Sequence, residues 1–305
     1  MRSRKMLVWA AFAWPFLMAN GLQAGGGGGN GLAFLKIGVG GRATGMSEAY
    51  VAVADEATAT YWNPAGLAFV NRTQVAFTHS EWIADITNEY LAFVFPAFKG
   101  TLGFSFNSNN VGGIQRRVGP SAEPIGTIDA NDIAFGLSYG RRFNDVISGG
   151  VTVKYLYEKI FVESAAGYAV DVGVTAQPFD NSLRFAFVAQ NLGSMGTLLN
   201  ESVDLPETIR AGVAYSLRLD AVGGDLLLAA DAVKVFDTDL KGNFGAELLL
   251  RDRLAFRVGY QAGFDEKGVG GGFGVKLDRY RFNYGFTPFS SNLGDVHKFS
   301  IGLDL

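Results

Sequence analysis

Tyr280-Arg281-Phe282-Asn283-Tyr284-Gly285-Phe286-Thr287 alternates an aromatic ring with a small, polar or charged residue at every step. A period of two is that of an extended strand, so all four rings share one face and Arg281, Asn283, Gly285 and Thr287 share the other. The pattern recurs in Ile209, Ala211, Val213, Tyr215, Leu217 against Arg210, Gly212, Ala214, Ser216, Arg218. It recurs again in Leu254, Phe256, Val258, Tyr260 against Arg253, Ala255, Arg257, Gly259, and in Phe299, Ile301, Leu303, Leu305 against Lys298, Ser300, Gly302, Asp304. Leu226–Leu228 with Ala229 and Ala230 fits either register.

Extended outward, this reading predicts fourteen strands: 72–80, 88–98, 101–108, 131–143, 146–158, 166–177, 182–191, 206–218, 224–236, 241–251, 253–262, 268–277, 279–287 and 296–305. The joins alternate in length. Lys99-Gly100, Asn144-Asp145, Pro178–Asn181, Asp220–Gly223, Asp252 and Asp278 are short, whereas 81–87, 109–130, 159–165, 192–205, 237–240, 263–267 and 288–295 are generally longer. An even strand number, short turns on one side, long loops on the other and strands of about ten residues are the pattern of a transmembrane antiparallel β-barrel. A soluble β-sandwich would alternate too, but it gives no reason for the turn asymmetry. The final strand ends the chain, which leaves it free to close against the first, as lipid requires of any sheet edge. The fold class expected is therefore all-β, a barrel of about fourteen strands over 72–305.

Composition agrees. The 305 residues are 48% hydrophobic and 18% charged, with 41 Gly, 25 Phe, two His and no Cys. Such a chain is too apolar for intrinsic disorder and has neither a disulfide framework, a thiolate metal site nor a multi-histidine centre. A net charge of −3 offers no electrostatic footprint for nucleic acid. No cofactor is expected. At the N-terminus, Arg2, Arg4 and Lys5 precede the apolar stretch Met6 to Ala19, and Leu22-Gln23-Ala24 presents a small residue for cleavage. That stretch is too short to span a bilayer as a helix and reads as a signal peptide over 1–24, hence as export to the outer membrane.

Residues 25–71 form a Gly-rich segment too long for an idle linker. Helical character is confined to Gly45–Thr60, and Asn63-Pro64 initiates a turn. With Val51, Val53, Tyr61, Trp62 and Leu67 to bury, the segment is expected to fold back into the barrel as a plug instead of trailing as a mobile tail. Gly38-Val39-Gly40-Gly41-Arg42-Ala43, with Asp55 and Glu56 downstream, matches the dinucleotide fingerprint. That fingerprint needs a βαβ unit, and only hairpin-type strands follow, so the match is read as chance.

Three blocks in this segment, Ala33-Phe34-Leu35-Lys36-Ile37-Gly38-Val39-Gly40-Gly41-Arg42-Ala43, Ala49-Tyr50-Val51-Ala52-Val53-Ala54-Asp55 and Tyr61-Trp62-Asn63-Pro64-Ala65-Gly66-Leu67-Ala68, resemble the N-terminal signature of the PorV/PorQ family. That family in turn resembles the FadL-type transporters, with their Asn-Pro-Ala element and fourteen-stranded barrel. The resemblance implies that Asn63, Pro64, Ala65 and Gly66 belong to a hatch. Met46-Ser47-Glu48 departs from the small, Gly-rich pattern of the family.

Catalysis has little to stand on. His79 and Ser80 are adjacent in a strand and point to opposite faces, so they form no base–nucleophile pair. His297 lies in the last strand, and both histidines read as surface or girdle residues. The outer loops carry the recognition candidates: Trp82 and Ile83, as girdle or as a landing point, and Arg116 and Arg117 in the long 109–130 loop. The resemblance implies a non-catalytic role in type IX secretion and surface attachment of cargo, with outer-membrane lipid, secretion-system subunits and secreted proteins as partners. The alternative is FadL-like transport of a hydrophobic ligand such as a fatty acid or hydrocarbon; a structural barrel without cargo is a third reading.

Overall fold

A computed structural model describes residues 31–305 apart from 84–85, 118, 120–122, 180–181, 199–200, 237 and 291–293. The stretch 1–24, read above as a signal peptide, lies outside the described residues. The strands are β1 Gln74–Glu81, β2 Thr87–Ala97, β3 Gly100–Arg116, β4 Gly126–Arg142, β5 Ile147–Ile160, β6 Glu163–Phe179, β7 Leu183–Met195, β8 Thr197–Leu198, β9 Glu201–Ser202, β10 Thr208–Leu219, β11 Gly224–Val235, β12 Lys241–Leu250, β13 Leu254–Ala262, β14 Val269–Leu277, β15 Tyr280–Pro288 and β16 Asp295–Asp304. All except β8 and β9, which pair only with each other, form one closed barrel of fourteen strands. The seam is antiparallel, from Gln74 opposite Asp304 to Glu81 opposite His297. Closure leaves no edge, so every barrel strand finds backbone partners on both sides without help from solvent.

The alternation sets the faces as expected. Outward residues such as Phe256, Val258, Phe273 and Phe299 are each about half exposed, whereas their neighbours Ala255 and Lys298 are buried. The outward set is the apolar band that lipid covers. Short turns use left-handed backbone at Phe98-Lys99 and Arg251-Asp252, the conformation tight hairpins require.

The loops differ from expectation on the long-loop side. Most of 109–130 is ladder: pairing continues from Asn109 opposite Asp132 to Arg116 opposite Gly126, with a bulge between Val111 and Ile114. The connection proper is 117–125. Likewise 159–165 shrinks to a turn at Phe161-Val162, because Ile160 pairs with Glu163. These extensions carry Asn109, Asn110, Gln115 and Asp129, so the apolar alternation fades while backbone pairing persists. At 17 residues, β3, β4 and β6 exceed the ~9–11 needed to cross a membrane. Their ends therefore project beyond it.

Residues 31–70 lie within the barrel. Tyr50, Trp62, Val39, Met46 and Leu67 are fully buried, and the cluster they form includes Ala92, Val94, Val188 and Ala214 from the wall. The helical stretch expected over 45–60 is absent as such: helical turns occupy Gly41–Gly45 and Ala59–Trp62, with 3-10 turns at Ala33–Lys36 and Pro64–Phe69. Between them the backbone finds partners elsewhere, since the N–H groups of Tyr50 and Val51 donate to the Asp231 carboxylate. Ser47 and Glu48 adopt left-handed φ of 49° and 63°, which ends the first turn.

The Gly-rich inward faces of β13–β15 admit this segment at close range. A Cβ at Gly285 would lie 2.6 Å from the carbonyl oxygen of Gly41. Gly285→Val should therefore destabilise the barrel by about 1–3 kcal/mol through overpacking. Gly271 faces outward, its Cβ position 3.4 Å from the nearest atom, and Gly271→Val should be tolerated. The temperature at which the folded, fast-migrating gel form is lost distinguishes the two variants.

Candidate functional site: the barrel interior and outer rim

The Asn63-Pro64-Ala65-Gly66 block is an anchor built from complementary hydrogen bonds. Asn63 Oδ1 caps the 3-10 turn by accepting from the Ala65 N–H at 3.0 Å, while its Nδ2 donates to Val51 O at 2.8 Å and Thr175 Oγ1 at 3.0 Å. Pro64 sits at the first position of that turn, where no N–H is needed. The block seats against Gly140, Gly150 and Gly173 on three successive strands, where any Cβ would collide with Asn63, Pro64 or their neighbours. Gly66 meets the carbonyl of Ala54 in the same way.

Ion pairs join the interior segment to the wall on the short-turn side. The Arg42 guanidinium donates to both Glu247 oxygens, at 3.0 and 2.8 Å, and to Asp55 Oδ1 at 2.9 Å. Arg257 donates to the same Glu247, and Arg281 bridges Glu56 at 2.8 Å and Asp304 at 2.9 Å. Burial alone would depress the Arg42 pKa, but Glu247, Tyr50 and Asp55 hold it well above its ordinary value. Thus Asp55 and Glu56, the acids of the apparent dinucleotide fingerprint, are structural partners of arginines, and Gly41–Gly45 is a helical turn packed on β15, without a βαβ unit.

Toward the long-loop side, Lys298 donates its ammonium to Gly38 O, and Lys154 pairs with Asp171 at 2.6 Å. Burial pushes Glu48 toward the neutral form, yet Lys267, Lys298 and Arg210 together bring its pKa below 4.5. Arg210 lies over Trp62 at 5.1 Å and hydrogen-bonds Gln190, which donates to Tyr61 O.

Trp82 meets Phe289 edge-on at 5.6 Å, has Lys267 and Lys298 at 4.9 and 5.0 Å from its ring, and packs on the cluster of Leu32, Phe34 and Ile37. It thus closes over the interior instead of joining an outward girdle. Ile83 is half-exposed beside it. Arg116 ends β3 with its guanidinium 5.2 Å from the Phe161 ring, and Arg117 donates to Gln115 at 2.7 Å. Both arginines are exposed on the projecting hairpin.

The histidines point outward. His79 pairs with Glu89 at 2.5 Å, and His297 with the Tyr284 hydroxyl at 2.8 Å, while Ser80 is buried on the inner face. The inward charges Asp231 and Glu247 escaped the sequence reading, and Arg257 and Arg281, which it placed on the small and polar face, were given no role there. Their only signal is a charged residue at inward parity within a membrane strand, such as Arg257 between Phe256 and Val258.

A closed, apolar-banded barrel filled by its own N-terminal segment defines an outer-membrane protein. The model of the type IX secretion system protein PorV matches residues 29–189, more than half of the chain, and the chain belongs to the PorV family. Among curated proteins no relative matches. Among solved structures, the CymD monoaromatic hydrocarbon channel superposes with a TM-score of 0.66 at 14% identity, covering 88% of this chain and 98% of that one. The Ralstonia pickettii toluene transporter TbuX gives 0.64 at 13%, with 88% and 98% covered. A Pseudomonas aeruginosa FadL homologue gives 0.53 at 10%, with 87% and 98% covered. These likenesses concern the fold. Neither the family nor these neighbours are enzymes.

Two outcomes follow from the interior ties. Arg42→Ala leaves Glu247 short of a buried partner and should lower stability by about 3–5 kcal/mol, with the loss partly recovered in the Arg42→Ala/Glu247→Gln double variant. Thermal unfolding of the detergent-solubilised barrel measures both. The Glu48 pKa is lower in the folded state, so its stabilisation is complete above pH 4.5 and is lost as pH falls below that value. Hydrogen-exchange protection of residues 38–50, corrected for intrinsic rate, should fall accordingly, whereas Glu48→Gln should show reduced protection above pH 4.5 and lose this pH dependence.

Proposed function

We propose that the protein is a non-catalytic outer-membrane component of type IX secretion that receives secreted proteins at the outer rim and passes them to surface attachment. Residues 31–70 act as its plug, with Asn63, Pro64, Ala65 and Gly66 as the anchor that keeps it seated. The observation that carries this reading is the tied interior: Arg42, Arg281, Asp231 and Lys298 bind the segment to four different strands. Opening a path would break several buried charged contacts at once. What stays accessible is the projecting β3–β4 hairpin with Arg116 and Arg117, assigned here as the docking element, with Ile83 at the neighbouring loop. Trp82 supports the loop from below.

A second reading, a conduit for hydrophobic molecules, draws on one feature. Outward Ala211, Ala230, Ala232 and Gly242 leave an apolar depression of about 610 Å³ in the wall, with Asp231 behind it. Uptake through such a barrel would require the plug to move.

Deleting the gene should deplete a set of proteins from the cell surface, and an Arg116→Glu/Arg117→Glu variant should restore the barrel but not that set. An unchanged surface proteome would reject the secretion reading. The chain has no cysteine, so one engineered disulfide between plug and wall tests the conduit without background: hydrocarbon or fatty-acid uptake should stop when it forms and return on reduction.

A further inference from the structure

We propose that the short-turn mouth of the barrel contains a binding site for one phosphate-type oxyanion, held by a row of cations across β13, β14 and β15. Arg253, directly before β13, Lys276 on β14 and Arg281 on β15 all have inward parity. They are immediate neighbours: the Lys276 N–H donates to Arg253 O at 2.8 Å, and Lys276 stands opposite Arg281 in the ladder. Like charges directly opposite one another across a sheet repel. Together with Arg42, Arg257 and Glu247 these residues line a cavity of about 190 Å³.

The carboxylates present do not balance this row. Glu247 is shared by Arg42 and Arg257, and Arg281 is matched by Glu56 and Asp304. Arg253 and Lys276 have no ion pair among the described residues. Donors are in excess as well, since Arg257 Nη1 and Arg281 Nε are buried without a hydrogen-bond partner among the described residues. Arg253 and Lys276 are exposed at the rim of this cavity, and their unmatched charge is open to an acceptor-rich anion. Guanidinium presents a planar fork of N–H donors and ammonium a compact charge, and the two together suit a tetrahedral phosphate better than a monovalent halide. The cavity has room for a single phosphate group. In an outer-membrane barrel the short turns face the periplasm, so the group can come from free phosphate or from the headgroup of an inner-leaflet phospholipid.

The test uses the full mature chain in non-ionic detergent and chloride buffer, titrated calorimetrically with inorganic phosphate, short-chain phosphatidylglycerol and acetate. Saturable 1:1 binding of a phosphate-bearing probe, weakened at least tenfold in Arg253→Gln/Lys276→Gln, supports the site. Tighter binding of the lipid assigns the headgroup as the source, and equal or tighter binding of inorganic phosphate assigns the free anion. Removing two unpaired like charges should leave the double variant at least as heat-stable as the parent without ligand. The proposal is overturned if neither phosphate probe binds, if acetate binds as tightly, if the double variant binds equally well, or if it is less heat-stable than the parent without ligand.

Discussion

Lipid offers no hydrogen-bond partner, and that constraint governs every level of this structure. It forces the fourteen strands to close on themselves, with β1 laid against β16, and it assigns the alternating aromatic and aliphatic residues to the outside. Closure creates an interior in turn. There the small and polar residues left by the alternation must meet water, each other or another piece of chain. The molecule takes the third course and fills the space with residues 31–70.

How the interior is filled explains the composition. Glycines on the inward faces bring the wall backbone close to the backbone of the inner segment, as at Gly285 against Gly41. Where strands and segment cannot share a regular ladder, single carboxylates and guanidinium groups take over the backbone's unmet donors and each other's charge. Asp231 serves two N–H groups of the segment, and Glu247 serves two arginines from opposite sides. These contacts are buried, so each is expensive to break and geometrically demanding. The inner segment is consequently part of the barrel's own packing.

The two ends of the barrel differ for the same reason. On the short-turn side the ion pairs crowd at the mouth. On the opposite side β3–β6 run past the membrane, and loop residues Trp82 and Phe289 close over the segment. A family that works in protein secretion and neighbours that carry small hydrocarbons share this frame, because the frame answers to the membrane, whereas the rim and the interior answer to the task.

The strands, their inward and outward faces, the strand number and the side bearing short turns were legible in the linear chain, because a period of two and a turn residue are local properties. The Asn63-Pro64-Ala65-Gly66 block was visible as a family signature, yet its work as a cap seated on three wall glycines was not. Extension of the ladder beyond residue 109 was hidden because backbone pairing continues where hydrophobic alternation stops. The helix expected over 45–60 gave way to turns because Asp231, some 180 residues away in sequence, supplies its backbone partners. Sequence by itself therefore determined the barrel, the export of its surface to lipid and the presence of a segment needing burial. Only tertiary structure decided how that segment sits, which charges meet at Glu247 and along Arg253, Lys276 and Arg281, and where Trp82 points, since each depends on strands brought together by closure.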